Sequence, residues 1–266
     1  MNFLQQALSY IFTAANWSGN AGLLARIEEH LQYTFVAVAV SALIALPIGL
    51  LVGHTGRGTI VVVTGVNALR ALPTLGVLLL GVLLWGLGLL PPTVALMLLG
   101  IPPLLAGTYA GIANVDPAVV DAARAMGMSE MRVLTRVEVP NALPLILGGL
   151  RTATLQVVAT ATVAAYGSLG GLGRYLIDGI KVRQFYIALV GALMVTALAL
   201  VLDALLALAV WLSVPGTGRL SRVPTPLVDD EALLEPQGRR HQPPPALRRS
   251  SEADEARGGP SLTVDG

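Results

Sequence analysis

The side chains able to do bond chemistry are few, and their spacing forms no reaction centre. Lys181 is the only lysine, and it stands between Ile180 and Val182. A phosphate-cradling loop needs Gly-Lys followed by Ser or Thr, so the chain carries no nucleotide loop of that kind. The glycine run from Gly167 to Gly173 reads instead as a tight turn. His30, His54 and His241 are far apart, without metal-ligand spacing. There is no cysteine, which excludes disulfides and thiolate metal sites. No hydrolytic triad is evident, so no catalytic residue, resident metal or cofactor is expected. What remains is a set of polar groups inside apolar sequence: the ionisable Arg70 and Asp203, and the milder Asn67, Gln156, Thr160 and Thr162. An ionisable group at membrane depth is costly and faces a partner or a pathway. In one reading Asn67, Arg70, Pro73, Gln156 and Thr160 line a translocation route. In the other they are packing: Arg70 reaches the interface or pairs with an acid, and the hydroxyls satisfy nearby backbone. Asp203 fits the second reading better. The stretch Arg70 to Pro73 fits the first, because Pro73 breaks a backbone bond, which a membrane interior tolerates only where protein or a cavity compensates.

One central stretch is dense in charge, 116–144, between long apolar segments. Asp116 before Pro117 is a strong helix start, a side-chain cap followed by a ring that fits the first turn. Val119, Val120 and Ala123 form an apolar side, and Gly127 suits a left-handed stop. Ser129 can cap a second short helix with Met131, Leu134, Thr135 and Glu138 at helical spacing, limited by Pro140 and Pro144. These signals fit a membrane-peripheral helix-turn-helix, and equally an amphipathic loop between membrane helices.

The elements around this stretch follow from composition. Hydrophobic residues make up 54% and charged residues 12%, against about 25% charged in soluble domains; mean hydropathy is +0.71. This is an integral membrane protein. Residues 1–30 read as an interfacial segment: Phe3, Leu4, Ala7, Leu8, Ile11 and Ala15 share a helical face, Trp17 sits at headgroup depth, and Arg26, Glu28, Glu29 and His30 form a polar collar. No cleavable signal peptide is evident. Spans of roughly 20 apolar residues are expected at Leu31–Val52, Ile60–Gly88, Thr93–Ile112, Leu143–Tyr166 and Ile187–Leu212. The second is long enough to cross once with a tilt or to break in two near Asn67, Arg70 and Pro73. Placing Arg57 and the loop basic residues inside favours one crossing, with Leu89-Leu90-Pro91-Pro92 as an outer turn. Gly167–Arg183 is an outer glycine-rich loop whose basic residues run against that rule. Five spans put the N-terminus outside and the C-terminus in the cytoplasm. Residues 221–266, with Pro243-Pro244-Pro245 and few large apolar side chains, cannot bury enough surface to fold and read as a disordered tail. Arg239, Arg240, Arg248 and Arg249 either touch anionic lipid or are simply solvated.

The charged stretch resembles the cytoplasmic loop of ABC importer permeases, named for its Glu-Ala-Ala start. Asp121-Ala122-Ala123, Gly127, Val137, Val139 and Pro140 fall on that pattern without a gap, with Asp for Glu at its head. The resemblance spans roughly 31–220. Within the superfamily the chain is similar to permease subunits of osmoprotectant importers; Leu69 to Thr74 and Gly167 to Gly173 carry that likeness. The resemblance implies an all-α type I importer permease fold of about five spans in a bacterial inner (plasma) membrane. It implies ATPase coupling through Asp121, Ala122, Ala123, Arg124, Gly127, Val137 and Pro140, with ATP and Mg held by a separate ATPase subunit. It implies a second permease subunit, identical or homologous, and an extracytoplasmic solute-binding protein; the remaining contact is lipid, and no nucleic acid. The expected solutes are glycine betaine, choline, carnitine, proline or a relative. Aromatic cages suit quaternary ammonium ions, and this chain offers chiefly Trp85, Tyr109 and Tyr166, so tight capture falls to the binding protein. A permease for an amino acid or other small solute is the nearest rival. An ATP-independent secondary transporter would show internal repeats and paired intramembrane acids, and a scaffold would not need the loop motif.

Overall fold

Helix α5 (Leu90–Ala113) is the axis of the molecule. In the computed structural model, which describes residues 2–167 and 170–214, α5 is more than half buried between α2 (Leu23–Thr55) and α8 (Val139–Thr160). Lipid tails are as apolar as leucine, so helices in a membrane are held by close contact and internal hydrogen bonds. Both operate here. A Cβ on Gly107 would lie 2.8 Å from the Gly149 Cα, and one on Gly149 would lie 2.8 Å from the Pro103 carbonyl oxygen. On the other flank, a Cβ on Gly49 would meet the Thr108 Cβ at 2.7 Å. The buried Ser41 hydroxyl is satisfied by the carbonyls of Ala37 at 2.7 Å and Met97 at 3.0 Å. Ala45, Val52, Leu104, Leu105 and Ala153 fill the space between the three helices.

The long apolar stretch after Gly58 is two helices, α3 (Thr59–Ala71) and α4 (Thr74–Trp85), bent 81° apart. Pro73 supplies no N–H to continue the ladder, and Leu72 before it is extended, with ψ 126°, as a residue preceding proline prefers. Among the described residues, four helices are long and apolar enough to cross a membrane, and the bent pair makes a fifth if counted as one span. The fold is all-α, as expected.

Several boundaries differ from the sequence reading. Helix α2 begins at Leu23, not Leu31, because nothing between Arg26 and His30 breaks a helix. The expected collar is packed instead: His30 is buried with Nε2 3.0 Å from the Val158 carbonyl oxygen, and Glu29 accepts from Arg26 at 2.8 Å and from the Gly171 N–H at 2.7 Å. Pro91 and Pro92 are the first turn of α5, where a missing N–H costs nothing, so they are not a turn outside it. The glycine-rich segment contains helix α9 (Gly173–Lys181), seated by buried Ile177 and an Arg174–Asp178 pair at 2.8 Å. It packs on α10 (Phe185–Ser213), as does α1 (Phe3–Phe12) through the Phe3–Phe185 edge contact at 6.0 Å. Helix α1 starts with a capping box between Asn2 and Gln5. Ser168, Leu169 and the tail assigned to 221–266 lie outside the described residues.

Candidate functional site

The charged stretch folds from local signals. Helix α6 (Pro117–Ala125) starts at Asp116, whose carboxylate accepts from the Ala118 N–H at 2.9 Å, and Pro117 occupies its first position. It ends at Gly127, whose φ of 81° only glycine adopts freely. Val120, Ala123 and Val133 are buried together, with Val115, Met128 and Val137 packed against them. The buried side of α6 therefore holds Val120 and Ala123 but not Val119, which is exposed along with Ala122 and Met126. These three fall at i, i+3 and i+7 and form an outward apolar stripe beside Asp121.

The expected second short helix does not stop at its prolines. Helix α7 (Glu130–Val133), a wider π turn over Leu134–Glu138, and α8 run on as one rod, Glu130–Val163. In a regular α-helix the Pro140 ring would press on the carbonyl four residues back. The π turn adds a residue there, with the Val139 N–H reaching the Leu134 carbonyl. The Asn141 amide also donates to the Val137 carbonyl at 2.7 Å. Ser129 sits at the N-cap, but its side chain makes no capping bond. Val133 and Val137 turn inward, whereas Met131, placed on the apolar face by spacing, is exposed.

A chain of charged groups joins this loop to the end of α2. Arg124 makes a two-pronged contact with Glu130, Nε to Oε1 and Nη2 to Oε2, both at 3.1 Å, and reaches Asp121 more loosely at 3.5 Å. The hydrogen bonds it donates to Glu130 raise the pKa of the Arg124 guanidinium. Glu130 Oε2 lies 3.2 Å from His54 Nε2, and Glu138 Oε2 lies 2.6 Å from His54 Nδ1. The Glu138 side chain is only 6% exposed. Spacing alone missed His54, Glu130 and Glu138 as a group, because His54 and Glu138 are 84 residues apart in sequence.

The other polar candidates form two separate sets. Asn67, Arg70 and Pro73 are exposed at the α3–α4 bend; Gln156 is exposed on α8, and Thr160 is half-buried at its end. No hydrogen bond joins the two sets, and Arg70 has no ion-pair partner among the described residues. The acid partner considered for Arg70 is therefore not found there. Asp203 does pair, accepting from Arg151 Nε at 2.6 Å and Nη2 at 2.8 Å across α8 and α10. Trp85 is exposed at the end of α4, while Tyr109 packs against the core on α5; the two are not a ring pair. Among the described residues the ring pairs are Phe3–Phe185 and Tyr10–Tyr175.

Comparison with known proteins places this geometry. The family model for the inner membrane component of binding-protein-dependent transport systems matches residues 45–210. The chain is 34% identical over 185 residues to the glycine betaine/carnitine/choline transport system permease protein OpuCB of Bacillus subtilis (strain 168), covering 70% of this chain and 85% of that one. It is 34% identical over 194 residues to the osmoprotectant import permease protein OsmW of Salmonella typhimurium, covering 70% and 90%. Its fold is similar to the MetNI methionine ABC transporter in an inward-facing conformation, with a TM-score of 0.63 at 20% identity over 72% of this chain and 96% of that one. It is also similar to an amino acid ABC transporter crystallised with histidines, with a TM-score of 0.61 at 22% identity over 79% and 98%.

Proposed function

The chain belongs to the inner-membrane components of binding-protein-dependent transport systems, and we propose that it is the permease subunit of an ATP-driven osmoprotectant importer. Family membership makes it a multi-pass membrane transport component, not an enzyme. The solute class we assign is glycine betaine, choline, carnitine, proline or a similar compatible solute. An extracytoplasmic binding protein delivers it, and a second permease subunit, identical or homologous, completes the path. ATP and Mg are held by a separate ATPase subunit. The N-terminus faces outward and the C-terminus the cytoplasm.

The observation that carries this reading is the loop. Asp121-Ala122-Ala123, Gly127, Val137 and Pro140 stand in register with the coupling pattern. Asp121-Ala122-Ala123 lie on the short helix α6, Gly127 ends it, and Val137 and Pro140 lie on the spanning rod that it packs against. The stripe of Val119, Ala122 and Met126 offers the ATPase an apolar ridge with a small residue at its centre. Val137 serves the loop's own packing, Pro140 follows the π turn, and Arg124 fixes the loop to Glu130. Closure of the ATPase pair displaces this unit, and the rod carries the displacement into the membrane. Transport then follows from a free-energy difference between two states that is felt at both ends. The exposed Arg70, without an ion-pair partner among the described residues, together with Asn67, Pro73, Gln156 and Thr160, supports a polar path walled by a second subunit, since such groups do not face lipid.

The test is co-purification from native membranes followed by reconstitution. An ATPase and a solute-binding protein should accompany the chain, and ATP-driven uptake should be supported by betaine, choline or carnitine. In the same vesicles Gly127→Val places a β-branched residue at positive φ. A Cβ there meets nothing within 4 Å, so the damage is conformational. Solute moved per ATP should drop about tenfold, within the usual range of coupling energies. Normal transport by the variant rejects the coupling role of the loop.

A further inference from the structure

His54 reaches from α2 to two carboxylates of the rod, one at each end of its first turns. It lies in the last turn of α2, with Nδ1 2.6 Å from the buried Glu138 carboxylate and Nε2 3.2 Å from Glu130. A neutral imidazole has one N–H and can donate to one of these carboxylates; an imidazolium donates to both. The end of α2 favours a positive charge there as well, because helix C-termini carry partial negative charge. A buried carboxylate left without a donor is expensive, and among the described residues His54 is the hydrogen-bond partner found for Glu138. The other charges facing the cluster are Arg124 and, behind it, Asp121 on α6. From the neighbouring end of α5, Ile112 and the Tyr109 backbone carbonyl pack on Gly53, and Tyr109 is the titratable side chain of that turn.

We propose that His54 is a positioning residue that clamps α6 and the π turn to α2 by bridging Glu130 and Glu138, and that the clamp closes only with a proton on both ring nitrogens. The inference rests on the loop's assignment as the coupling element. Arg124 holds α6 to Glu130, His54 holds Glu130 to α2, and Glu138 holds His54 to the π turn. Loss of one proton opens the middle link: either Glu138 is left without its donor, or Glu130 is held by Arg124 alone. The sign follows: α6 is tied to the spanning helices while both ring nitrogens carry a proton, the state favoured by acid, and released when one proton is lost.

Two readouts separate this inference from the functional reading. The first is hydrogen exchange of the backbone amides of 117–133 in the full chain in nanodiscs, expressed as protection relative to the intrinsic rate, from acid to alkaline pH. Wild-type protection should fall about tenfold as pH rises, the scale of one lost charge-assisted hydrogen bond. His54→Gln should show the low value throughout. His54→Arg, which keeps charge and several donors, should stay protected with a flat profile. The second readout is solute moved per ATP in the reconstituted complex, which should follow the same three profiles. Wild-type protection independent of pH, or a His54→Gln profile equal to wild type, overturns the clamp. If His54→Gln does not fold, the wild-type and His54→Arg profiles decide alone. Protection that responds as expected in a chain that shows no ATP-driven uptake upholds the clamp and rejects the importer reading instead.

Discussion

The α2–α5–α8 core and the α3–α4 limb are both built from apolar sequence and are held in different ways. In the core, glycine backbones touch: Gly107 meets Gly149 and Gly49 meets Thr108, at distances where no Cβ fits. The limb turns only Val62, Val66, Leu78 and Gly81 into full burial and exposes Ile60, Val61, Leu80, Leu83 and Trp85. It is bent by 81°, and Asn67 and Arg70 lie on its exposed side, with no ion-pair partner for Arg70 among the described residues. Hydropathy alone does not distinguish the two. What separates the two is where the small residues and the exposed polar groups fall.

The most severe way to break the core is Gly149→Val. Overpacking costs about 1–3 kcal/mol where neighbours can shift, and here the obstruction is the Pro103 backbone. Loss of the folded, monodisperse species in detergent is expected, and retention of it would mean the core is looser than its geometry. Next comes Arg151→Leu, which strands Asp203 on α10. The thermal midpoint in nanodiscs should fall, and adding Asp203→Leu should restore most of it, since a paired charge replaced by apolar groups is often neutral. Failure of the double variant to recover would give the pair a role beyond packing. In the limb, Arg70→Ala should leave melting and complex assembly unchanged while uptake falls about tenfold, within the range of coupling effects. Unchanged uptake at normal expression removes Arg70 from the path. The smallest effect is expected for Leu83→Ala, within about 0.5 kcal/mol, as for substitutions away from packed features. A larger loss in the isolated chain would mean the limb is part of the core after all.

Local features were legible in the sequence, and distant pairings were not. Asp116-Pro117 and Gly127 delimit α6 because capping and positive φ are decided within a few residues. The spans were visible in hydropathy, yet α2 ran past its expected start because charged residues do not stop a helix when protein receives them, as His30 and Glu29 show. Pro140 and Pro144 limit a regular α-helix, and the π turn before Pro140 removes that limit. Helix α9 was hidden because its glycines looked like loop. Gly173, Gly179 and Gly191 are contact glycines instead, pressed against Thr162, Ala188 and Leu176. The His54–Glu138 and Arg151–Asp203 pairs depend on which helices become neighbours, and periodicity within one segment carries no such information.

The unbroken rod from Glu130 to Val163 has a consequence in plain lengths. Its 34 residues at about 1.5 Å each span roughly 50 Å, against a hydrocarbon layer of about 30 Å. Standing upright with its far end at one edge of that layer, it would hold α6 some 20 Å beyond the other edge, as a lever whose fulcrum is the Gly107–Gly149 contact. Under the proposed coupling, a push on the loop would become an angular displacement deep in the bilayer, with the π turn and the His54 clamp setting how much of that angle is delivered.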